Sequence, residues 1–105
     1  MILVETSVFT RRVVEVLTDA EYRELQAVLA TRPTVGAVIA GSGGLRKVRW
    51  APRGRGKRGG VRIIYYWAAA QDRIVMLFIY AKSERDDLSP EQLRVLRRVV
   101  ETEFP

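Results

Sequence analysis

The run Ile74-Val75-Met76-Leu77-Phe78-Ile79 limits the fold more than any other segment of this chain. Such residues favour extended backbone, but a strand wetted on one face alternates apolar with polar positions. An unbroken apolar stretch therefore predicts a central strand, Ile74 to Ala81, covered on both sides. With 105 residues, 48% of them hydrophobic, the chain can build one such core, and two domains would each be marginal. A single domain spanning residues 1–105 is expected.

The covering segments carry helical spacing. Thr6 or Ser7 can cap a helix in which Phe9, Val13, Val16 and Leu17 recur on one side. Thr18-Asp19-Ala20-Glu21 has the capping-box spacing, and Tyr22, Leu25, Val28 and Leu29 form the next stripe before Arg32-Pro33 stops it. These two segments predict a helical hairpin. Near the end, Ser89-Pro90-Glu91-Gln92 supplies an N-cap, a proline at the first helical position and the reciprocal cap, with Leu88 and Leu93 as a hydrophobic staple. Leu93, Leu96, Val99 and Val100 then line one side of a terminal helix, and Arg94, Arg97, Arg98 and Glu101 face solvent.

The remaining strands are Ile2 to Glu5, Leu45 to Trp50 and Val61 to Ala69, with Ala70 to Arg73 as the last hairpin turn. Residues Pro33 to Gly44 hold Gly36, Gly41, Gly43 and Gly44 without periodicity and are expected to be a connector. The prediction is an α+β fold: a mainly antiparallel four-stranded sheet with an N-terminal helical hairpin and a C-terminal helix.

Charge is distributed unevenly along this framework. No Asp or Glu lies between Glu24 and Asp72, yet nine of the eighteen Lys and Arg residues do, eight of them between Arg46 and Arg62. A field of one sign focuses anions, so a polyphosphate such as RNA or DNA is the first candidate partner. Cys and His are both absent, which removes zinc fingers, disulfides, thiol nucleophiles and a histidine base, and the carboxylates show no metal-ligand clustering. No apolar run approaches the length of a membrane helix, and the chain reads as cytoplasmic with no membrane partner.

Alternation divides the basic segment by face. Lys47 and Arg49 share one side of their strand, against Arg46, Val48 and Trp50; Arg62, Ile64 and Tyr66 share a side of the next, against Ile63, Tyr65 and Trp67. Between the strands, Arg53, Arg55, Lys57 and Arg58 are interleaved with glycines that leave amides and cationic tips free to wrap phosphates, or form a solvated hairpin loop. No Walker loop is spelled out there. Bases can stack on aromatics while cations hold the backbone. For Trp50, Tyr65 and Trp67 core packing is the simpler role, whereas Tyr66 is open to both. After the apolar strand, Lys82 emerges where burial and neighbouring cations lower a lysine pKa, which would make it a base; the plain alternative is a surface pair with Glu84 or Asp86.

The order strand, two helices, three strands and helix, with the segments Gly44 to Trp50, Gly54 to Tyr66 and Tyr80 to Gln92, resembles the RelE/HigB toxins of type II toxin–antitoxin modules, especially the HigB-like branch. The resemblance implies a RelE-like fold and a ribosome-dependent mRNA endonuclease that cuts in the decoding site, works without metal or cofactor, and is silenced by a cognate antitoxin, a small helix-turn-helix HigA-like protein. Lys47 and Arg49 stand at the family's basic second-strand positions, Arg62 at the arginine before the Ile-Ile-Tyr strand, and Lys82 at the lysine after the last strand. Many relatives carry an arginine directly after that lysine and a tyrosine several residues later; here those places hold Ser83 and Leu88 or Ser89.

The implied chemistry is attack of an RNA 2′-hydroxyl on its own phosphate, with Lys82 as base, Arg62 as transition-state clamp, and Lys57 or Arg85 as acid or charge stabiliser. Lys47, Arg49, Arg53, Arg55, Arg58 and Tyr66 would bind the RNA. Two alternatives use the same residues: a non-catalytic RNA- or DNA-binding protein, and a decayed toxin acting by protein interaction.

Overall fold

The computed structural model describes residues 1–52, 60–85 and 87–103. Strand β1 (Ile2–Glu5) leads into helices α1 (Ser7–Val16) and α2 (Asp19–Thr31), then β2 (Ala37–Val38), β3 (Arg46–Trp50), β4 (Val61–Ala68), β5 (Arg73–Ala81) and α3 (Pro90–Glu103). The sheet order is β1-β5-β4-β3-β2, so the apolar strand β5 lies inside the sheet as its composition requires. It runs parallel to β1 and antiparallel to β4.

The expected four strands are five. Ala37 and Val38, inside the presumed connector, pair with Lys47 and Arg46 of β3. Both are exposed, so no burial pattern marks them in the sequence. The pairing rests on the turn that follows: Gly41, Gly43 and Gly44 take positive φ, Ile39 N–H donates to Leu45 O at 2.8 Å, and Ser42 Oγ accepts from Leu45 N–H at 3.1 Å. Gly43 also lies against the flexible tip of Arg97 of α3, and it is the positive φ of this turn that favours glycine.

Two apolar clusters cover the sheet. Phe9, Val13, Leu17, Leu25 and Leu29 of the hairpin pack on Val48, Ile63, Tyr65, Ile74, Met76 and Ile79, joined by Trp50 and Trp67. On the other side Leu45, Ile64, Val75, Leu77 and Tyr80 meet Leu88 and Val100, with Tyr66, Phe78, Leu93, Leu96 and Val99 at the margin. Both expected capping boxes form. Thr18 and Glu21 bond reciprocally at α2, and Gln92 N–H donates to Ser89 Oγ at 3.1 Å while Ser89 N–H donates to Gln92 Oε1 at 2.8 Å.

One irregularity decides which side chains share a face. Ile64 pairs with Phe78 and Tyr65 with Met76, so Leu77 is an extra residue in β5. Before it, Ile74 and Met76 face the hairpin; after it, Ile79 does, and Phe78 and Tyr80 turn to the α3 side. Thr6 holds the bulge: its hydroxyl donates to Leu77 O at 2.9 Å and accepts from Phe9 N–H at 3.1 Å as the N-cap of α1.

Candidate nucleic-acid interface

The β3–β4–β5 register assembles the cations from two strands. Arg49 stands opposite Arg62, and Arg62 opposite Tyr80, forming a cross-strand row on the α3 side. Directly opposed side chains lie roughly 5 Å apart at Cβ, and like charges placed so destabilise a sheet. Two arginines side by side are a local conflict of the kind a ligand-binding face tolerates. Lys47, two residues before Arg49, points to the same side, and its Nζ donates to Asp87 Oδ1 at 2.6 Å.

Tyr80 is fully buried at the end of the row. Burial is the main cause that raises its phenol above the usual value; the Asp87 charge adds to this, and Arg62, Arg85 and Arg49 oppose it. These four charges thus act on one hydroxyl. Arg85 is half-buried with its guanidinium 5.9 Å from the Phe78 ring centroid, and its Nε has no acceptor among the described residues. Asp87 is held below the ordinary carboxylate range, chiefly by the Lys47 hydrogen bond.

The segment after β5 is tied to α1. Arg12 Nε donates to Ile79 O at 2.7 Å, its Nη2 reaches both Glu84 oxygens at 2.8 and 2.9 Å, and its guanidinium lies 4.9 Å from the Phe78 ring centroid. Glu84 also accepts from Ala81 N–H at 2.9 Å. That bond, followed by the Arg12 bonds, keeps its carboxyl below the usual range.

The expected site residues separate on this framework. Arg49, Arg62 and Arg85 come together around Tyr80, and Lys47 joins the group through its ion pair with Asp87. Lys82 sits beside them at the strand end, where its N–H donates to Gly60 O at 3.0 Å, but its side chain is exposed and lacks the expected burial. Glu84, considered as its partner, is engaged by Arg12. Tyr66 is half-buried against the second cluster, and a Cβ at Gly44 would touch its ring at 3.4 Å, so packing is its observed role. Trp50 and Trp67 pack into the hairpin-side cluster. Arg53, Arg55, Lys57, Arg58 and Asp86 lie outside the described residues.

Three residues escaped the sequence reading. Tyr80 was hidden by the bulge, because strict alternation from Met76 puts it on the hairpin side. Asp87 and Arg12 join partners 40 and 72 residues away, separations that no local pattern reveals. Among the described residues there is no His/Cys/Asp/Glu group able to hold a metal ion and no helix long and apolar enough to cross a membrane.

Comparison with known proteins agrees with this architecture. The E. coli toxin RelE, solved in the free state as a double mutant, superposes with a TM-score of 0.61 over 93% of this chain and 94% of that one, at 11% identity. That likeness establishes the fold. A family model described as the RelE toxin of the RelE/RelB toxin–antitoxin system matches residues 6–104. With that match spanning nearly the whole sequence, the chain belongs to the RelE toxin family.

Proposed function

We propose that this toxin is an endoribonuclease that inhibits translation by cutting mRNA in the ribosomal decoding site, and that a cognate antitoxin neutralises it. Family membership supports the toxin class, and the observation that carries the RNA reading is the Arg49–Arg62–Tyr80 row with Lys47 beside it. The cations of this row bind successive phosphates of a single strand, with Arg49 and Lys47 holding the backbone and Arg62, backed by the buried Tyr80, at the scissile group.

The reaction we assign is internal transesterification. The 2′-oxygen attacks its adjacent phosphorus, its proton passes to the base, the bond to the 5′-oxygen breaks, and that oxygen takes up a proton. The products are a 2′,3′-cyclic phosphate and a 5′-hydroxyl. Arg62 stabilises charge developing on the phosphoryl oxygens. Lys82 is the proposed base, its exposure requiring that the ribosome complete the site around it. Lys57 or Arg85 is the proposed proton donor or charge stabiliser. Orientation of the message by the ribosome could contribute roughly 7–11 kcal/mol, which an isolated lysine–arginine site lacks. The HigB-like motifs support a small helix-turn-helix antitoxin encoded next to this gene.

The test is cleavage of ribosome-bound mRNA, with 5′-hydroxyl ends mapped. Arg62→Ala is expected to lose about 100-fold or more in rate, in line with removal of one transition-state donor; Lys82→Ala should also be severely impaired. Parent-like cleavage by both variants would sink the catalytic assignment. RNA binding that weakens steeply with salt, without scission by the parent, would favour the non-catalytic binder.

A further inference from the structure

Asp87 is a carboxylate set on a cationic face. Its neighbours explain how it gets there: Leu88 inserts into the second cluster and Ser89 caps α3, fixing the loop from its C-terminal side. Its side chain is 68% exposed, yet its Oδ1 lies 2.6 Å from Lys47 Nζ, and Arg49 and Arg62 act on the same charge. Lys47 is the more covered partner, but a pair whose carboxylate is this exposed contributes little to stability, and Leu88 with the helix cap already anchors the loop. Its geometry is that of an anion seated on the phosphate-binding row.

We propose that Asp87 is an internal, displaceable occupant of the phosphate site, which RNA must dislodge from Lys47 before the backbone can engage Lys47, Arg49 and Arg62. The inference rests on the RNA reading of this face. Displacement has a measurable signature. A phosphate that takes Lys47 must first break the Asp87 ion pair, so the parent binds more weakly than its cations alone would dictate.

The experiment measures binding of a short 2′-O-methyl single-stranded RNA, which cannot be cleaved, to the full chain by fluorescence anisotropy across a salt series. Asp87→Asn is compared with Glu15→Gln, an equal change of net charge on an exposed position of α1. Asp87→Asn should bind about fivefold tighter, the equivalent of an exposed pair released. Its salt slope should match the parent's, because both proteins neutralise the same RNA phosphates. In a Lys47→Gln background the gain should shrink to that of Glu15→Gln.

Equal gains for Asp87→Asn and Glu15→Gln, or a gain that persists in full in the Lys47→Gln background, would overturn the proposal. Asp87→Ser serves as a second variant, and unchanged melting temperatures exclude a folding effect. If the parent binds no RNA, the RNA reading fails, and inorganic pyrophosphate then decides the internal site separately. Tighter pyrophosphate binding by Asp87→Asn sustains it, and no change refutes it.

Discussion

Tyr80 of β5 stands directly opposite Arg62 of β4, on the α3 side of the sheet, because the bulge at Leu77 shifts the alternation of β5 by one position. Without that extra residue the phenol would face the helical hairpin. A single backbone irregularity therefore helps complete the candidate site.

Thr6 links this bulge to α1, so its removal should be felt at both. Thr6→Ala deletes an N-cap and leaves Leu77 O without its hydroxyl donor. The expected loss is about 1–2 kcal/mol in urea unfolding. A Thr6→Ser variant keeps the hydroxyl and should recover most of it. A loss below a few tenths would show that the bulge stands without this clamp.

Arg49 opposite Arg62 sets stability against binding. Replacing Arg49 with Gln relieves a cross-strand repulsion and should stabilise the fold by roughly 0.2–1 kcal/mol. The same change should weaken single-stranded RNA binding and reduce its salt slope by about 0.7. Paired denaturation and anisotropy measurements check both signs, and a variant that is less stable with undiminished affinity contradicts the assignment.

Three tyrosines predict the alkaline limit. Burial is the main influence raising the phenols of Tyr22, Tyr65 and Tyr80 above 10.0, and Tyr22 is raised further by its hydrogen bond to Glu5 at 2.5 Å. Groups raised in the folded state leave stability intact below pH 10.0 and withdraw it as pH climbs towards their folded values. Tyrosinate absorbance from these residues should therefore appear together with loss of circular dichroism. Ionisation of all three near pH 10.0 in a folded chain would refute their packing.

Glu84 predicts part of the acid limit. The Ala81 amide and then Arg12 depress its carboxyl below 4.5, so its contribution is present above that value and lost as pH falls through the folded one. Glu84→Gln should flatten the decline of the urea midpoint between about pH 5 and pH 3. Arg12→Gln should flatten it only in part, since the amide bond remains. Parallel acid profiles for parent and Glu84→Gln would count against this tether.

The legible parts of the molecule were those written in local chemistry. Thr18 with Glu21 and Ser89 with Gln92 announce two helix starts, because the capping partners are three residues apart. The run Ile74–Ile79 announces a strand covered on both sides, and alternation assigns Lys47, Arg49 and Arg62 to their faces, because pleated backbone repeats every two residues. Ala37–Val38 left no such mark, since an exposed two-residue edge strand has neither burial nor period.

The sequence by itself determined the helices, the principal strands, the interior place of β5 and the sign of the charge on the candidate face. Tertiary structure alone decided that Tyr80 joins Arg62, that Asp87 pairs with Lys47 and that Arg12 holds Glu84. The physical reason is the range of the interactions involved. Caps and periodicity act within a turn or along one strand, whereas the bulge register and the ion pairs exist only once segments distant in sequence have been brought together by the two cores.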